Sequence, residues 1–316
     1  MNFRILIVLL FVLGTINSYS QDFSASINKE PLHWNQWEVS MGAEEKLELI
    51  KSLDKIMGIE VALTYYSYTI ENIINNFHII DFDNDGQNDV IYEGFVGGRN
   101  NGVILFKIEN GVCNKPIKFL GDLISIWRSD VWAPISFKIN NYRCCSGYVD
   151  YIETYTPQYD RNGDLEYEMS AKIAFAHGTV FPDEFKHPRV FRVVNEESVL
   201  AIAPINNDKE YDYHLKKTPV VDNFPYKEVY FKFDGNIIAN FPIGTSGLAL
   251  FETMDSSGQT WIFVMINSKS KPTMSLFCYA GDNNNHPYKT LGWMKKLELK
   301  FLTSEEINKA PISILD

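Results

Sequence analysis

The spacing of apolar residues predicts strands over most of the chain. From about residue 77, short apolar runs alternate with turn residues, and the runs are FHIIDF, DVIYEGF, NGVILFKIENG, APISFKI, GYVDYIETYTPQYD and LEYEMSAKIAFA. The dipeptides Gly97-Gly98, Asn110-Gly111 and Asn162-Gly163 lie between these runs and are typical of turns. The pattern predicts an antiparallel β meander in this N-terminal part of the chain.

One segment before residue 77 has helical spacing instead. In AEEKLELIKSLDKIMG, Gly58 follows a set of apolar residues that recur at helical intervals, namely Leu47, Ile50, Leu53, Ile56 and Met57. This spacing predicts a helix. The next segment, EVALTYYSYTIENII, is typical of a strand at its front and of a helical turn at its end, so it leaves both interpretations open.

A second block of short strands begins near residue 190. It runs from VFRVVNEESVLAIAPINNDKEY through GNIIANFPIGTSGLALFETMDSSGQTWIFVMIN to LGWMKKLELKFL, with tight turns such as DSSG at residues 255–258. The sequence therefore predicts a mainly β fold, in which the N-terminal meander carries one or two helices.

The first twenty residues have the pattern of an export signal. Arg4 precedes the apolar core ILIVLLFVL, and Ser18 and Ser20 are small residues just before the expected cleavage site of the signal peptide. This core is shorter than the roughly 20 residues that a membrane helix needs, and no later segment approaches that length. We expect an exported protein, periplasmic or secreted, with no transmembrane anchor and a mature chain that begins near Gln21.

The charge balance bears on the partners. The chain carries 29 basic and 40 acidic residues, which gives a formal net charge of −11, and its basic residues are scattered. Nucleic-acid binding requires a basic stripe or patch, so we expect no nucleic-acid partner. An acidic exported protein does suit calcium, which is abundant outside cells.

Four cysteines in an oxidising compartment permit disulfide bonds. Cys144 and Cys145 are neighbours whose direct bond would be strained, so each would need Cys113 or Cys278 as its partner. We expect Cys113 to pair with one of the two neighbouring cysteines.

Four aspartates crowd one turn in IIDFDNDGQNDVIYEG, residues 79–94. They take positions 1, 3, 5 and 9 of a nine-residue loop, with glycine at position 6, and are Asp81, Asp83, Asp85 and Asp89. This spacing suits a hard cation, because alternate side chains turn inward, the carbonyl at position 7 adds a ligand and glycine allows the sharp bend. An EF-hand would need glutamate at position 12, where this chain has Tyr92, so an EF-hand is disfavoured.

The loop resembles the D-x-D-x-D-G-x-x-D calcium loop of FG-GAP and VCBS repeats, which occurs in many exported bacterial proteins. The resemblance covers about fifteen residues and implies a structural role for the ion. It implies that calcium is held by the side chains of Asp81, Asp83, Asp85 and Asp89 and by the carbonyl of Gln87. No second copy of the loop recurs at a fixed period, so a propeller built from such repeats is not expected.

The aspartates allow two other interpretations. In the first, the aspartates cap their own backbone and hold no ion. In the second, two of the carboxylates act as acid and base in hydrolysis. Glycosidase pairs need a defined separation across a sugar and one acid in an apolar pocket, and four acids on a single turn offer neither.

A second motif, RCCSGYVDYIETY at residues 143–155, resembles the D-C-S-G motif of NlpC-type cell-wall peptidases. By that resemblance Cys145 would be the nucleophile and His177 the base. The sequence departs from the family at Cys144, where an aspartate is expected, and in the strand-like alternation that follows Gly147. A cysteine pair in a turn between strands is the competing interpretation.

The C-terminal block resembles a bacterial SH3-like domain. The similar segments are LAIAP at 200–204, IGTSG at 243–247, WIFV at 261–264 and GWM at 292–294. The match includes long insertions at residues 206–234 and 267–290. The resemblance implies a small β barrel that binds peptides or cell-wall material, and we expect Trp261 and Trp293 to lie in its core.

The predicted organisation is a signal peptide at residues 1–20, a β-rich domain at 21–190, an SH3-like domain at 191–305 and a tail at 306–316. We expect a non-enzymatic envelope protein with calcium in its first domain. Its partner would be a peptide, a cell-wall glycan or an envelope protein. The alternative is a cysteine peptidase of NlpC type that uses Cys145 and His177.

Overall fold

The computed structural model describes residues 32–57, 73–97, 100–109, 112–113, 116–142, 149–186, 188–205, 236–267, 270, 272, 274–275 and 289–309. The prediction of a mainly β fold with antiparallel sheets is confirmed. The described residues divide into two compact units. The loop unit comprises those within 32–142 together with 151–171, and the C-terminal unit comprises 149–150 together with those from 172 to 309.

The loop unit begins with short helical segments. A 3-10 turn at Trp34–Gln36 precedes helix α1 at Ala43–Met57, which confirms the helix predicted there, and a second 3-10 turn follows at Ile74–Asn76. Most of the ambiguous segment EVALTYYSYTIENII lies outside the described residues.

The strands from residue 77 onward are short. They are β1 (Phe77–Ile80), β2 (Asp89–Gly97), β3 (Asn100–Phe106), β4 (Ile108–Glu109), β5 (Val112–Cys113), β6 (Ile117–Leu120), β7 (Asp122–Arg128), β8 (Ile135–Tyr142), β9 (Val149–Tyr159) and β10 (Leu165–Ala176). Strands β1, β2, β3 and β6 form one antiparallel sheet in that order, and β7 pairs with β8. Strands β9 and β10 contribute residues to both units.

The four-stranded sheet is buried on both faces. Because side chains alternate along a strand, Phe77 and Ile79 join a cluster with Ile50 of helix α1, whereas Ile80 joins the opposite cluster with Phe137 of β8. Both clusters consist of large aliphatic and aromatic side chains. The sheet therefore has a core on each side. The ends of β1 and β2 that the connection joins are packed in these cores.

The C-terminal unit contains a second set of strands. They are β11 (Arg189–Val193), β12 (Ser198–Ala201), β13 (Ile237–Phe241), β14 (Ser246–Met254), β15 (Thr260–Ile266), β16 (Met274–Ser275), β17 (Lys289–Lys295) and β18 (Leu299–Phe301), and helix α2 follows at Ser304–Lys309. Strands β18, β11, β14, β15 and β17 pair in that order, and β17 also pairs in parallel with β10.

Trp261 and Trp293 are 3% and 2% exposed, so both lie in the core as expected. The SH3-like identity of this block and the predicted domain ranges stay predictions. Among the described residues, no helix has the length and apolar character to cross a membrane. The predicted signal peptide at 1–20 lies outside the described residues.

Candidate metal centre

The aspartate loop, residues 81–89, connects β1 to β2. Ile80 at the end of β1 pairs with Asp89 at the start of β2, so the register of the two strands closes the loop at its base. Phe82 is fully buried in the cluster that contains Ile80, and its carbonyl accepts a hydrogen bond of 2.8 Å from the backbone N–H of Ile135. The buried side chain of Phe82 and this backbone hydrogen bond thus attach the loop to the core.

The backbone of the loop bends in the left-handed region. Asn84 has a φ of 63° and Gly86 a φ of 87°. Asparagine tolerates this region better than most residues and glycine does so without steric cost. The glycine that the motif requires at position 6 therefore has a direct conformational role.

Three of the predicted ligands converge. Asp81, Asp83 and Asp89 each offer one carboxylate oxygen, and these three oxygens lie within 4.8 Å of one another. Asp83 is 5% exposed and Asp89 is fully buried, whereas Asp81 is partly exposed. Three carboxylates at this separation repel one another strongly in a partly buried site, so the group favours a cation.

Backbone N–H groups of the loop point at two of these carboxylates. Asp81 accepts bonds of 3.1 Å from the N–H of Asp85 and from the N–H of Gly86, one at each oxygen. Asp83 accepts a bond of 3.1 Å from the N–H of Asp85. A carboxylate oxygen has two lone pairs, so these bonds leave acceptor capacity for a metal ion.

Asp89 differs from the other aspartates because one of its oxygens has no hydrogen-bond partner. Its Oδ1 accepts a bond of 2.8 Å from the N–H of Ile108, while its Oδ2 is buried without a partner. Burial raises the pKa of Asp89 to about 8, against the Ile108 hydrogen bond and with further help from the negative charges of Asp83, Asp85 and Asp81. A buried, unsatisfied carboxylate oxygen next to two other carboxylates fits a calcium ligand.

Asp85 and Gln87 are the other two predicted ligands. Asp85 lies outside the converging group, and its Oδ1 accepts a bond of 2.8 Å from the N–H of Gln87. The position 7 carbonyl and the position 5 carboxylate therefore stay predicted ligands, while the structure brings the other three together.

Lys107 is part of the site and was not predicted. Its Nζ lies 2.8 Å from Asp83 Oδ2, 3.7 Å from Asp85 Oδ2 and 2.7 Å from Glu109 Oε1. Desolvation lowers the pKa of Lys107, but its hydrogen bonds to Asp83 and Glu109 outweigh that effect and the pKa is raised. One positive charge thus offsets part of the negative charge of the loop.

Two further contacts join the aspartate loop to the β7–β8 hairpin, whose tip we define as residues 129–134 between the two strands. The guanidinium of Arg128 donates to the carbonyl of Asp81, and Asn84 Nδ2 donates to the carbonyl of Trp132 over 3.2 Å. Arg128 and Asn84 thus connect the two segments. Neither contact has a local sequence signal, since the partners are 47 and 48 residues apart.

His177, the base of the alternative hypothesis, has a carboxylate partner in the C-terminal unit. Its Nδ1 lies 2.9 Å from Asp150 Oδ2, and the side chains are 69% and 6% exposed. Burial raises the pKa of Asp150, and the hydrogen bond to His177 opposes this. Cys144, Cys145 and Cys278 lie outside the described residues, so the proposed nucleophile and the disulfide pairing stay predictions.

Comparison with known proteins adds no relative. No protein-family model, curated protein or solved structure matches this chain. The case for a function therefore depends on the residues and their geometry.

Proposed function

We propose that the aspartate loop binds one calcium ion, and that the ion stabilises the loop unit of an exported, non-enzymatic binding protein. The observation that carries this proposal is the buried Oδ2 of Asp89, which has no hydrogen-bond partner. It lies in a loop where Asp81 and Asp83 bring two more carboxylate oxygens to within 4.8 Å. A bound cation would satisfy all three groups together.

Calcium is the cation that the donor set favours. It takes six to eight oxygen ligands in flexible geometry, and carboxylates and backbone carbonyls are its usual protein ligands. The carboxylates of Asp81, Asp83, Asp85 and Asp89 and the carbonyl of Gln87 would hold it. The histidine and cysteine ligands that zinc prefers are absent from residues 81–89.

The competing interpretation is a turn that caps its own backbone. It accounts for the bonds to Asp81 and Asp83, because backbone N–H groups donate to both. It leaves the buried oxygen of Asp89 unexplained, since an unsatisfied buried polar group costs stability that a self-capped turn would avoid. This difference favours the calcium interpretation.

The ion would act on the sheet. Ile80 and Asp89 form the residue pair of β1 and β2 that lies nearest the loop. An ion held by residues on both sides of this pair would connect the two strands at their junction. Ligands that bind only the folded state stabilise it in proportion to the logarithm of their concentration over Kd, so calcium should raise the unfolding temperature.

Isothermal titration of calcium into the mature protein tests the proposal. We expect a single saturable site at or below millimolar calcium, and loss of the heat when Asp83→Asn is combined with Asp85→Asn. A matched control is Asp160→Asn, in an exposed turn where Asp160 accepts the N–H of Asn162 and of Asp164. A wild-type protein without heat at millimolar calcium would refute the proposal.

The binding role is proposed on the acidic composition, the predicted export signal and the SH3-like resemblance. The partner classes are a peptide, a cell-wall glycan or an envelope protein. Co-sedimentation with purified cell-wall material tests the glycan class. Protein that stays in the supernatant at every concentration would remove that class from the list.

A second candidate function is a cysteine peptidase that uses Cys145 and His177. The observation that favours it is the Asp150–His177 pair, because a carboxylate that accepts from one ring nitrogen orients the imidazole for base catalysis. This hypothesis predicts selective alkylation of Cys145 by iodoacetamide and cleavage of peptidoglycan stem peptides. Unchanged cleavage by the Cys145→Ala variant would eliminate it.

A further inference from the structure

Lys107 lies between two carboxylates that differ in burial. Its Nζ is 2.8 Å from Asp83 Oδ2 and 2.7 Å from Glu109 Oε1. The Asp83 side chain is 3% exposed, whereas that of Glu109 is 43% exposed. The ammonium of Lys107 therefore has one acceptor inside the proposed calcium site and a second acceptor outside it.

The backbone on either side of Lys107 is fixed. Phe106 is fully buried, and Ile108 is buried while its N–H donates to Asp89 Oδ1 over 2.8 Å. The lysine side chain itself has a flexible four-carbon stem. The ammonium can therefore change its carboxylate partner while the backbone stays in place.

A calcium ion and this ammonium would compete for Asp83. The Asp83 carboxylate is one of the three that converge in the aspartate loop, and its Oδ2 already accepts a hydrogen bond from Lys107. Calcium lies about 2.3–2.6 Å from its oxygen ligands, so an ion bound to Asp83 would come close to the ammonium. Positive charges at such a separation repel each other in a partly buried site. Calcium therefore binds most readily when the ammonium has moved away.

We propose that Lys107 is a tethered counter-ion of the aspartate loop, and that calcium binding shifts its ammonium from Asp83 to Glu109. Without calcium, the ammonium offsets part of the negative charge of the loop. With calcium, Glu109 keeps the ammonium paired outside the site. The inference rests on the proposed calcium site, and it identifies Lys107 as a residue that sets the ion selectivity of that site.

The tethered charge discriminates against monovalent cations. Potassium carries a single positive charge, as the ammonium does, and it would have to displace a group that is covalently attached at the site. Covalent attachment gives the ammonium a high effective concentration, and Asp85 Oδ2, at 3.7 Å from Nζ, adds to its attraction. Calcium carries two charges and takes several carboxylate ligands at once. A divalent ion therefore displaces the ammonium where a monovalent ion does not.

Calorimetric titration of calcium into the mature protein and its variants tests the exchange. Lys107→Met should bind calcium about threefold more tightly than the wild type and Glu109→Gln about threefold more weakly, which is the range for partly exposed ion pairs. The double variant should bind as Lys107→Met does, because Glu109 acts by holding the ammonium and its direct attraction for the ion is screened by salt. The matched control is Lys186→Met, whose ammonium lies 2.7 Å from Glu184 in the C-terminal unit, and it should bind as the wild type does.

A change of salt tests the selectivity. Calcium is titrated once in potassium chloride and once in tetramethylammonium chloride at the same concentration, since tetramethylammonium is too large for the loop and donates no hydrogen bonds. The wild type should bind calcium equally in both salts. Lys107→Met should bind calcium roughly twofold more weakly in potassium, because potassium then competes for the carboxylates. Lys107→Arg keeps the positive charge and should behave as the wild type does.

Several results would overturn the inference. Equal calcium affinity of the wild type and Lys107→Met would do so. So would a loss from Glu109→Gln that is as large in the Lys107→Met background as in the wild type, or equal potassium dependence of the wild type and Lys107→Met. Calcium heat together with any of these results refutes only the counter-ion. Absence of calcium heat from both the wild type and Lys107→Met refutes the calcium site. Heat from Lys107→Met alone overturns the exchange, because the lysine would then close the site to calcium.

Discussion

Replacing Asp89 by asparagine separates the cost of a buried carboxylate from the benefit of a bound ion. The side chain is fully buried, its Oδ1 accepts from the N–H of Ile108, and its Oδ2 has no partner. Asparagine has nearly the same shape and keeps the acceptor for Ile108. It removes the ionisable group and places an N–H donor close to the carboxylates of Asp81 and Asp83.

The expected effect depends on calcium. In chelator the variant should be the more stable protein by about 1–3 kcal/mol, which is the usual cost of an unsatisfied buried polar group. When the calcium concentration is 100 times Kd, ligand binding raises the free energy of unfolding of the wild type by about 2.7 kcal/mol. The variant gains much less because one charged ligand of the ion is missing. Calcium therefore shifts the stability difference towards the wild type by up to about 2.7 kcal/mol, and the order of the two proteins reverses wherever the cost of the buried oxygen is smaller than this shift.

Urea unfolding followed by circular dichroism, once in chelator and once in excess calcium, measures both differences. Asp160→Asn is the matched control, because it changes an exposed turn and should alter stability equally in the two solutions. The reasoning is refuted if Asp89→Asn loses the same stability with and without calcium. That result would mean that Asp89 acts only through its bond to Ile108.

Three more outcomes are expected. Lys107→Met removes an ammonium that lies 2.8 Å from the carboxylate of Asp83. Calcium affinity measured by calorimetry should therefore rise about threefold, which is within the ~1 kcal/mol that a partly exposed ion pair contributes. Unchanged affinity would place the ion away from Lys107. Gly121→Ala should lose about 1–3 kcal/mol in urea unfolding, because φ is 115° and the new Cβ would lie 2.4 Å from a backbone carbonyl oxygen. Hydrogen bonds from Ser257 and Trp261 hold the pKa of Asp255 at about 2. A lowered carboxylate pKa contributes stability above about pH 4 that is lost as pH falls towards 2. In acid, the free energy of unfolding of the wild type should therefore fall more steeply with pH than that of Asp255→Asn. Identical slopes for the two proteins would contradict this.

Periodicity predicted the fold class because the strands have strong alternation. Phe77 and Ile79 on one face of β1, and Ile80 on the other, show the period of two that fixes which residues meet the two clusters. The helix at Ala43–Met57 followed from its spacing in the same way. These local patterns are set by short-range geometry, so a single sequence is sufficient to recognise them.

The candidate site was predictable only in part. Spacing within nine residues predicted five ligands, Asp81, Asp83, Asp85, Gln87 and Asp89. The structure brings the carboxylates of Asp81, Asp83 and Asp89 together, because a tight loop limits where alternate side chains can point. Spacing could not indicate Lys107 or Arg128, whose contacts with the loop depend on strand pairing and hairpin packing far along the chain. Tertiary contacts between distant segments carry no local signal.

Exposure was equally hidden from the sequence. Val131 and Trp132 are apolar residues in a stretch between two strands, and their composition alone suggests burial. The hairpin turns them outward because the bonds of Asp130 close a tight turn at this point. The partner of His177 was missed for a similar reason, since Asp150 lies 27 residues before it.

A crystal structure of the mature protein grown in calcium tests the central claim most directly. The account predicts one calcium ion in residues 81–89, at 2.3–2.6 Å from carboxylate oxygens that include Asp89 Oδ2. Anomalous scattering would identify the ion. A loop that contains only water in saturating calcium, with Asp89 Oδ2 still without a partner, would contradict the account.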